Sequence, residues 1–199
     1  MYSQNQEESY ILNFFKGTKG KLLDIGANDG KTFSNSLALI EQGWEADLVE
    51  PNPEAFKLLK NLHYGNERVI VWQCAVSDFT GKSNILLSTD ERNPHDKGLV
   101  STLYEGETTR WKDNPFVDYS FTPAVVDVLH ARTFSHAYDF ITIDCEGAET
   151  KIIPHLDYSN CKMICIEWNS KPELFKIYSD YLEGFRLYHK NAENLIYVK

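Results

Sequence analysis

The chain has 199 residues, a net charge of −9, and 42% hydrophobic and 25% charged residues. This is the balance of an ordinary soluble globular protein, and the length suits one domain spanning 1–199 that folds unaided. The negative charge and scattered lysines weigh against gripping a nucleic-acid backbone, which needs clustered Lys and Arg, and against an anionic membrane surface.

No apolar run nears the about 20 residues that cross a bilayer. The start, MYSQNQEESY, lacks the basic and apolar regions of a signal peptide. Cys74, Cys145, Cys161 and Cys165 sit in or beside apolar runs without CxxC spacing or nearby His, which points to reduced thiols rather than zinc. A cytoplasmic protein, a monomer or homodimer with no membrane insertion, is the expectation.

Ser9–Phe15 predicts a short helix. KLLDIGANDG, Lys21–Gly30, reads as a strand over Lys21–Ile25 and a turn of small residues. A helix follows from about Lys31 to Gln42, with Phe33, Leu37 and Ile40 on one face. Its N–H groups and dipole would point at a ligand beside the turn. Glu45–Val49 predicts the second strand. Asn52 as N-cap and Pro53 as first residue then open a helix.

Arg68–Cys74 predicts a third strand, AVSDFTG a turn, and Ser83–Leu87 a further strand. The polar stretch 88–115 reads as a long loop, functional or mobile at that length, and as an acceptor-side lid over the site. Val117–Val126 predicts a strand and Val126–Arg132 a helical turn. Strands follow at Tyr138–Ile143 and Lys162–Glu167. Between them lies a short helix to about Ile153, which Pro154 should stop. Pro172–Leu182 carries a helical stripe of Leu174, Ile177, Tyr178 and Tyr181. Phe185–His189 and Asn194–Val198 predict a closing hairpin.

Alternating strands and helices predict an α/β fold, mostly parallel, with an antiparallel C-terminal strand and helices on both faces. Ligands of such sheets bind at the carboxyl ends of the strands, where GANDG, EPN, CAVSD and DCEGAE all fall. Gly26 and Gly30 permit a turn whose N–H groups face a ligand. Asn28 stands where a dinucleotide fingerprint has its middle glycine, leaving less room for a pyrophosphate. Asp24 can accept turn N–H groups or face a ligand ammonium. Glu50 lies about 20–25 residues past the turn, where an acid takes ribose hydroxyls. Pro51 and Asn52 flank it, with Asn52 also readable as a helix cap. Small Ala75 would let an adenine lie against the sheet edge.

Asp144, Glu146 and Glu149 put three carboxylates within six positions, suited to proton transfer or hydroxyl binding. Glu149 can instead stabilise a helix N-terminus. No His accompanies them and no metal is assigned. Glu167 and Asn169 could line the acceptor side. His95, in the long loop, is a candidate base or a surface residue.

DIGANDG (Asp24–Gly30), EPNPEAFKLL (Glu50–Leu59), AVSDFTG (Ala75–Gly81) and FITIDCEGAE (Phe140–Glu149) together resemble the FkbM family of S-adenosylmethionine (SAM)-dependent methyltransferases. The resemblance implies a Rossmann-like class I methyltransferase fold, a seven-stranded sheet of order 3-2-1-4-5-7-6, and methyl transfer to a carbohydrate or small-molecule hydroxyl. It implies that Gly26, Ala27, Asn28 and Gly30 form the cofactor loop, that Glu50 takes the ribose, and that Ala75 meets the adenine. Asp144 and Glu146 would face the transfer site. GLVSTL (Gly98–Leu103) looks like the family's Ser-rich segment. Of the family's Thr-Leu-Asp-Asp-Leu-like segment only Asp127 and Leu129 correspond. Two other readings stand beside this one: a non-catalytic SAM-binding module, and a nicotinamide-dependent oxidoreductase, which Asn28 opposes. An RNA methyltransferase is disfavoured by the charge.

Overall fold

Strand β1, Lys21–Ile25, shows how the sheet divides the core. Successive side chains of a strand point to opposite faces. Leu22 accordingly packs with Ile11, Phe15, Leu39, Trp44 and Leu59, while Leu23 and Ile25 pack with Phe134, Ile152, Tyr178 and Leu182 on the other side. A computed structural model describes residues 1–93, 96–112 and 114–199.

Around β1 run β2 (Glu45–Val49), β3 (Val69–Trp72), β7 (Phe140–Ile143), β8 (Met163–Glu167), β9 (Arg186–Lys190) and β10 (Asn194–Val198). They form a seven-stranded sheet of order β3-β2-β1-β7-β8-β10-β9. The first five are parallel, and β10 pairs antiparallel with both β8 and β9. This is the implied order. It brings the carboxyl ends of β2, β1, β7 and β8 side by side.

Helix α1 covers Glu7–Phe15, α3 Pro53–Leu62 and α6 Pro172–Tyr181. Asn52 caps α3 by accepting the Glu54 N–H, with Pro53 as the first helical residue. Helix α5, Glu149–Ile152, gives way to a 3-10 turn at Ile153–His155 that contains Pro154. No described helix is long and apolar enough to cross a membrane.

Three expectations change. The helix expected over 31–42 is α2, Leu37–Glu41 only. Asp29 accepts the Lys31 and Thr32 N–H groups, and the Ser34 hydroxyl accepts the Leu37 N–H. These side-chain bonds replace helical ones, and Phe33 takes a left-handed φ of 56°. No helix dipole begins at the turn.

The second change is a further sheet, order β4-β6-β5, built from β4 (Ala75–Ser77), β5 (Gly81–Asp90) and β6 (Tyr119–His130). The helical turn expected at 126–132 is strand as far as His130, then a 3-10 turn at Ala131–Phe134. Pro123 is tolerated inside β6 because β4 pairs only with Val128–His130. At Pro123 the outer side of β6 is an open edge, needing no N–H.

Third, 88–115 contains ordered structure. Leu86 and Thr102 exchange backbone hydrogen bonds of 2.8 and 3.1 Å, and Glu105–Lys112 forms helix α4.

Candidate active site

A cavity of about 600 Å³ opens at the carboxyl ends of β1, β2, β7 and β8. Of the residues singled out from the sequence, Asp24, Gly26, Ala27, Asn28, Glu50, Pro51, Ala75, Asp144 and Glu146 line it. Gly30 and Asn52 lie outside its wall. Gly30 (φ 79°) lets the turn sit on α3, where a Cβ would come 2.6 Å from Leu59 Cδ1. Asn52 is taken up by the α3 cap and by its amide's bond to the Lys97 carbonyl. His95 lies outside the described residues.

The turn's own N–H groups do not face the cavity. Gly26 and Ala27 N–H both donate to the Val49 carbonyl at 3.0 Å, Asn28 N–H to Glu50 Oε2 at 2.9 Å, and Gly30 N–H to the Ala27 carbonyl. Gly26 is needed for this close seam between strands. At its φ of 93°, a Cβ would fall 1.7 Å from the Asp144 carbonyl oxygen. A turn whose amides are all engaged is not a phosphate nest, a second argument, beside Asn28, against a pyrophosphate.

Glu50 is buried, and its other oxygen accepts the Asn52 N–H at 2.7 Å. Burial raises its pKa to about 7 despite those two bonds. Asp24, buried at the end of β1, accepts the Ser36 hydroxyl at 2.5 Å and no turn N–H. Burial raises its pKa to about 6.

Opposite them, carboxylate oxygens of Asp144, Glu146 and Glu167 lie within 4.8 Å of one another. Asp144 directly follows β7 and Glu167 ends β8. Glu146 is held in a left-handed turn (φ 49°) before Gly147 (φ 104°), and its carbonyl accepts the Thr102 hydroxyl at 2.7 Å. Glu146 and Glu167 are buried, whereas Asp144 is not. Loss of solvent around the carboxylates, then mutual repulsion, pushes all three pKa values well up. Glu149 does not join them; it accepts the Cys145 and Gly147 N–H groups at 2.8 and 3.0 Å and fixes the turn before α5.

Two contributions had no signal in the sequence. Helix α4 delivers Arg110, whose Nη2 lies 3.2 Å from Glu146 Oε2 and 3.8 Å from Glu167 Oε1, with the guanidinium over the Trp111 ring. The N-terminal segment closes another side. Ser3 bridges to Phe33, Gln4 lines the cavity and the Asn5 amide donates to Glu193. Buried Glu7 accepts the side-chain amides of Asn191 and Asn194 at 2.6 and 2.9 Å.

Solved structures share the fold at low identity. The ribosomal protein L11 methylase of Lactobacillus delbrueckii subsp. bulgaricus is 9% identical with a TM-score of 0.52, over 98% of this chain and 77% of that one. The Escherichia coli methyltransferase yhhF is 9% identical with a TM-score of 0.55, over 99% and 87%. A SAM-dependent methyltransferase of Methanococcus maripaludis is 12% identical with a TM-score of 0.50, over 96% and 82%. No curated protein matches the sequence. The model of the methyltransferase FkbM domain matches residues 24–188, from the buried carboxylate that ends β1 to the middle of β9. That span contains the four strand ends that wall the cavity, and the chain belongs to the FkbM methyltransferase family, a SAM-dependent methyltransferase.

Proposed function

We propose that this enzyme methylates a hydroxyl oxygen of a carbohydrate or a similar small polyhydroxylated molecule. The observation that carries the reading is the reach of one cavity from the Gly26–Glu50 wall to the acids after β7 and β8. A donor held at the first side meets a proton acceptor at the second.

The residues fit SAM. Glu50 retains unused lone pairs beyond its two backbone bonds and can accept ribose hydroxyls. Asp24, also buried, suits an ammonium group. Gly26 and Ala27 leave room for the amino-acid end, and Ala75 for the flat edge of adenine. SAM, when bound, supplies a methyl group on a sulfonium that needs no further activation.

The chain's task is then orientation and proton removal. Holding an acceptor oxygen about 3–3.5 Å from the reacting carbon supplies much of the rate. Asp144, reachable from the cavity, is the group that takes the hydroxyl proton, and general-base catalysis contributes typically about 10²–10⁴-fold. The lining carries Asp24, Glu50, Asp144, Glu146, Glu167 and Glu193 against one basic side chain, Arg110, among the described residues. Such a wall offers little to pair with a phosphate, which favours a neutral polyol over a nucleotide or nucleic acid. Trp111 and Tyr119 in the same wall offer apolar surfaces for a sugar face.

The test is calorimetric titration with SAM and with NAD, followed by transfer of labelled methyl from SAM to matched neutral, acidic and phosphorylated glycosides. The expected outcome is SAM binding without NAD binding, and labelling of neutral glycosides that falls by about 10²-fold or more in Asp144→Asn. Tight SAM binding with no labelled product would instead favour a non-catalytic module, and labelling of the phosphorylated or acidic glycosides in preference to the neutral ones would overturn the acceptor class.

A further inference from the structure

Asp144, Glu146 and Glu167 cannot all be anionic in so small a volume without a cation. Like charges a few ångströms apart in a buried site suppress one another's ionisation. The described residues supply one cation to this cluster, Arg110. A guanidinium does not lose its proton in proteins, and its planar fork can serve two carboxylates at once.

Several contacts fix where it arrives. Glu107, one turn earlier on α4, receives the Lys171 ammonium at 2.9 Å on each oxygen and so ties α4 to the start of α6. Gly147 leaves the space that Glu107 fills, since a Cβ there would lie 2.7 Å from Glu107 Cγ. The Trp111 ring lies 4.4 Å from the guanidinium carbon. Nη2 sits closest to Glu146 and Glu167, the two buried acids, and Asp144 accepts no hydrogen bond among the described residues.

We propose that Arg110 is a positioning residue for methyl transfer: it holds Glu146 and Glu167 in place and leaves Asp144, the acid open to the cavity, to take the acceptor proton. This rests on the methyltransfer reading above. The groups facing the cluster come from every element around it. Arg110, Glu107 and Trp111 come from α4, and Asp144, Glu146 and Glu149 from the turn after β7. Asp24 comes from β1, Tyr119 from β6, Glu167 from the end of β8 and Asn169 from just after it, Tyr178 from α6, and Lys171, committed to Glu107, from the start of α6. The acids raise one another's pKa, and Arg110 is the charge that lowers all three.

The test uses the full chain with ¹³C-labelled carboxyl groups, titrated by NMR as wild type, Arg110→Met and Arg110→Lys. Signals are assigned with Asp144→Asn, Glu146→Gln and Glu167→Gln. The expected result is an Asp144 midpoint raised by about one pH unit or more in Arg110→Met, and raised less in Arg110→Lys, which keeps a charge but not the fork. A purely structural arginine would lower the melting temperature and leave that midpoint where it was. An unmoved Asp144 midpoint in folded Arg110→Met overturns the proposal. If that variant does not fold, an unmoved midpoint in folded Arg110→Gln does so. Transfer of labelled methyl from SAM by the wild type, measured separately, decides the methyltransfer reading, so the two can fail independently.

Discussion

Glu50 serves two ends with one carboxylate. It fastens the Asn28 and Asn52 N–H groups that join the turn after β1 to the start of α3, and it faces the cavity. Its folded pKa of about 7 and Asp24's of about 6 exceed the unfolded values of about 4. The folded protein therefore binds these protons more tightly than the unfolded chain. Their linkage lowers stability as pH rises from about 4 towards 7. A ligand that donates to both carboxylates needs them ionised, so it must expel protons below pH 7. SAM titrated at pH 6 in two buffers of different ionisation enthalpy should release about one proton. Glu50→Gln should release less and bind about tenfold more weakly, one lost hydrogen bond to a charged group. Full-strength binding without proton release in the wild type would separate Glu50 from the ligand.

At the scale of elements, β2 carries its own internal anchor. Asp47, buried in mid-strand, accepts the Tyr138 hydroxyl at 2.9 Å and the Trp72 indole N–H at 3.1 Å, and pairs with the Lys21 ammonium at 2.8 Å. It thus ties β2 to β3, to β1 and to the residues before β7. Asp47→Ala leaves a buried hydroxyl and an indole N–H unmatched, and should destabilise the fold by about 3 kcal/mol in denaturant unfolding. A change under about 1 kcal/mol would show that water replaces the carboxylate.

Elements with a local cause were legible in sequence. Strand β10 has its predicted bounds, and Asn52-Pro53 opens α3 through a cap that needs no distant partner. Elements without one were not. Residues 31–36 carry helical spacing, but Asp29 and Ser34 claim the N–H groups. Helix α4, EGETTRWK, has no apolar stripe; it is held by the Glu107–Lys171 and Arg110 ion pairs. The site divides the same way. Asp24, Glu50, Asp144 and Glu167 each end a strand or follow one directly, so reading the strands located them. Arg110 enters from a stretch whose pattern predicts only a loop.

For the whole molecule, the first residues of the chain meet the hairpin of β9 and β10 beside the cavity. Residues 2–7 run past it and are held at both flanks. Tyr2 donates its hydroxyl to Glu41 at 2.8 Å, and Glu7 is clasped by Asn191 and Asn194 from the hairpin of β9 and β10. Burial pushes the Glu7 carboxyl up, yet the hydrogen bonds it receives hold its pKa below the ordinary value. The clasp therefore contributes stability above about pH 4, and that contribution disappears as pH falls through the lowered folded pKa.

This arrangement bears on time rather than affinity. If Gln4 covers part of the route by which spent cofactor leaves, turnover is paced by how often the Glu7 clasp lets go, whatever the speed of the chemistry. Glu7→Ala should shorten the residence time of S-adenosylhomocysteine about tenfold in stopped-flow displacement, the effect of losing hydrogen bonds to a charged group. An unchanged residence time would mean that the Glu7 clasp does not gate release of the product.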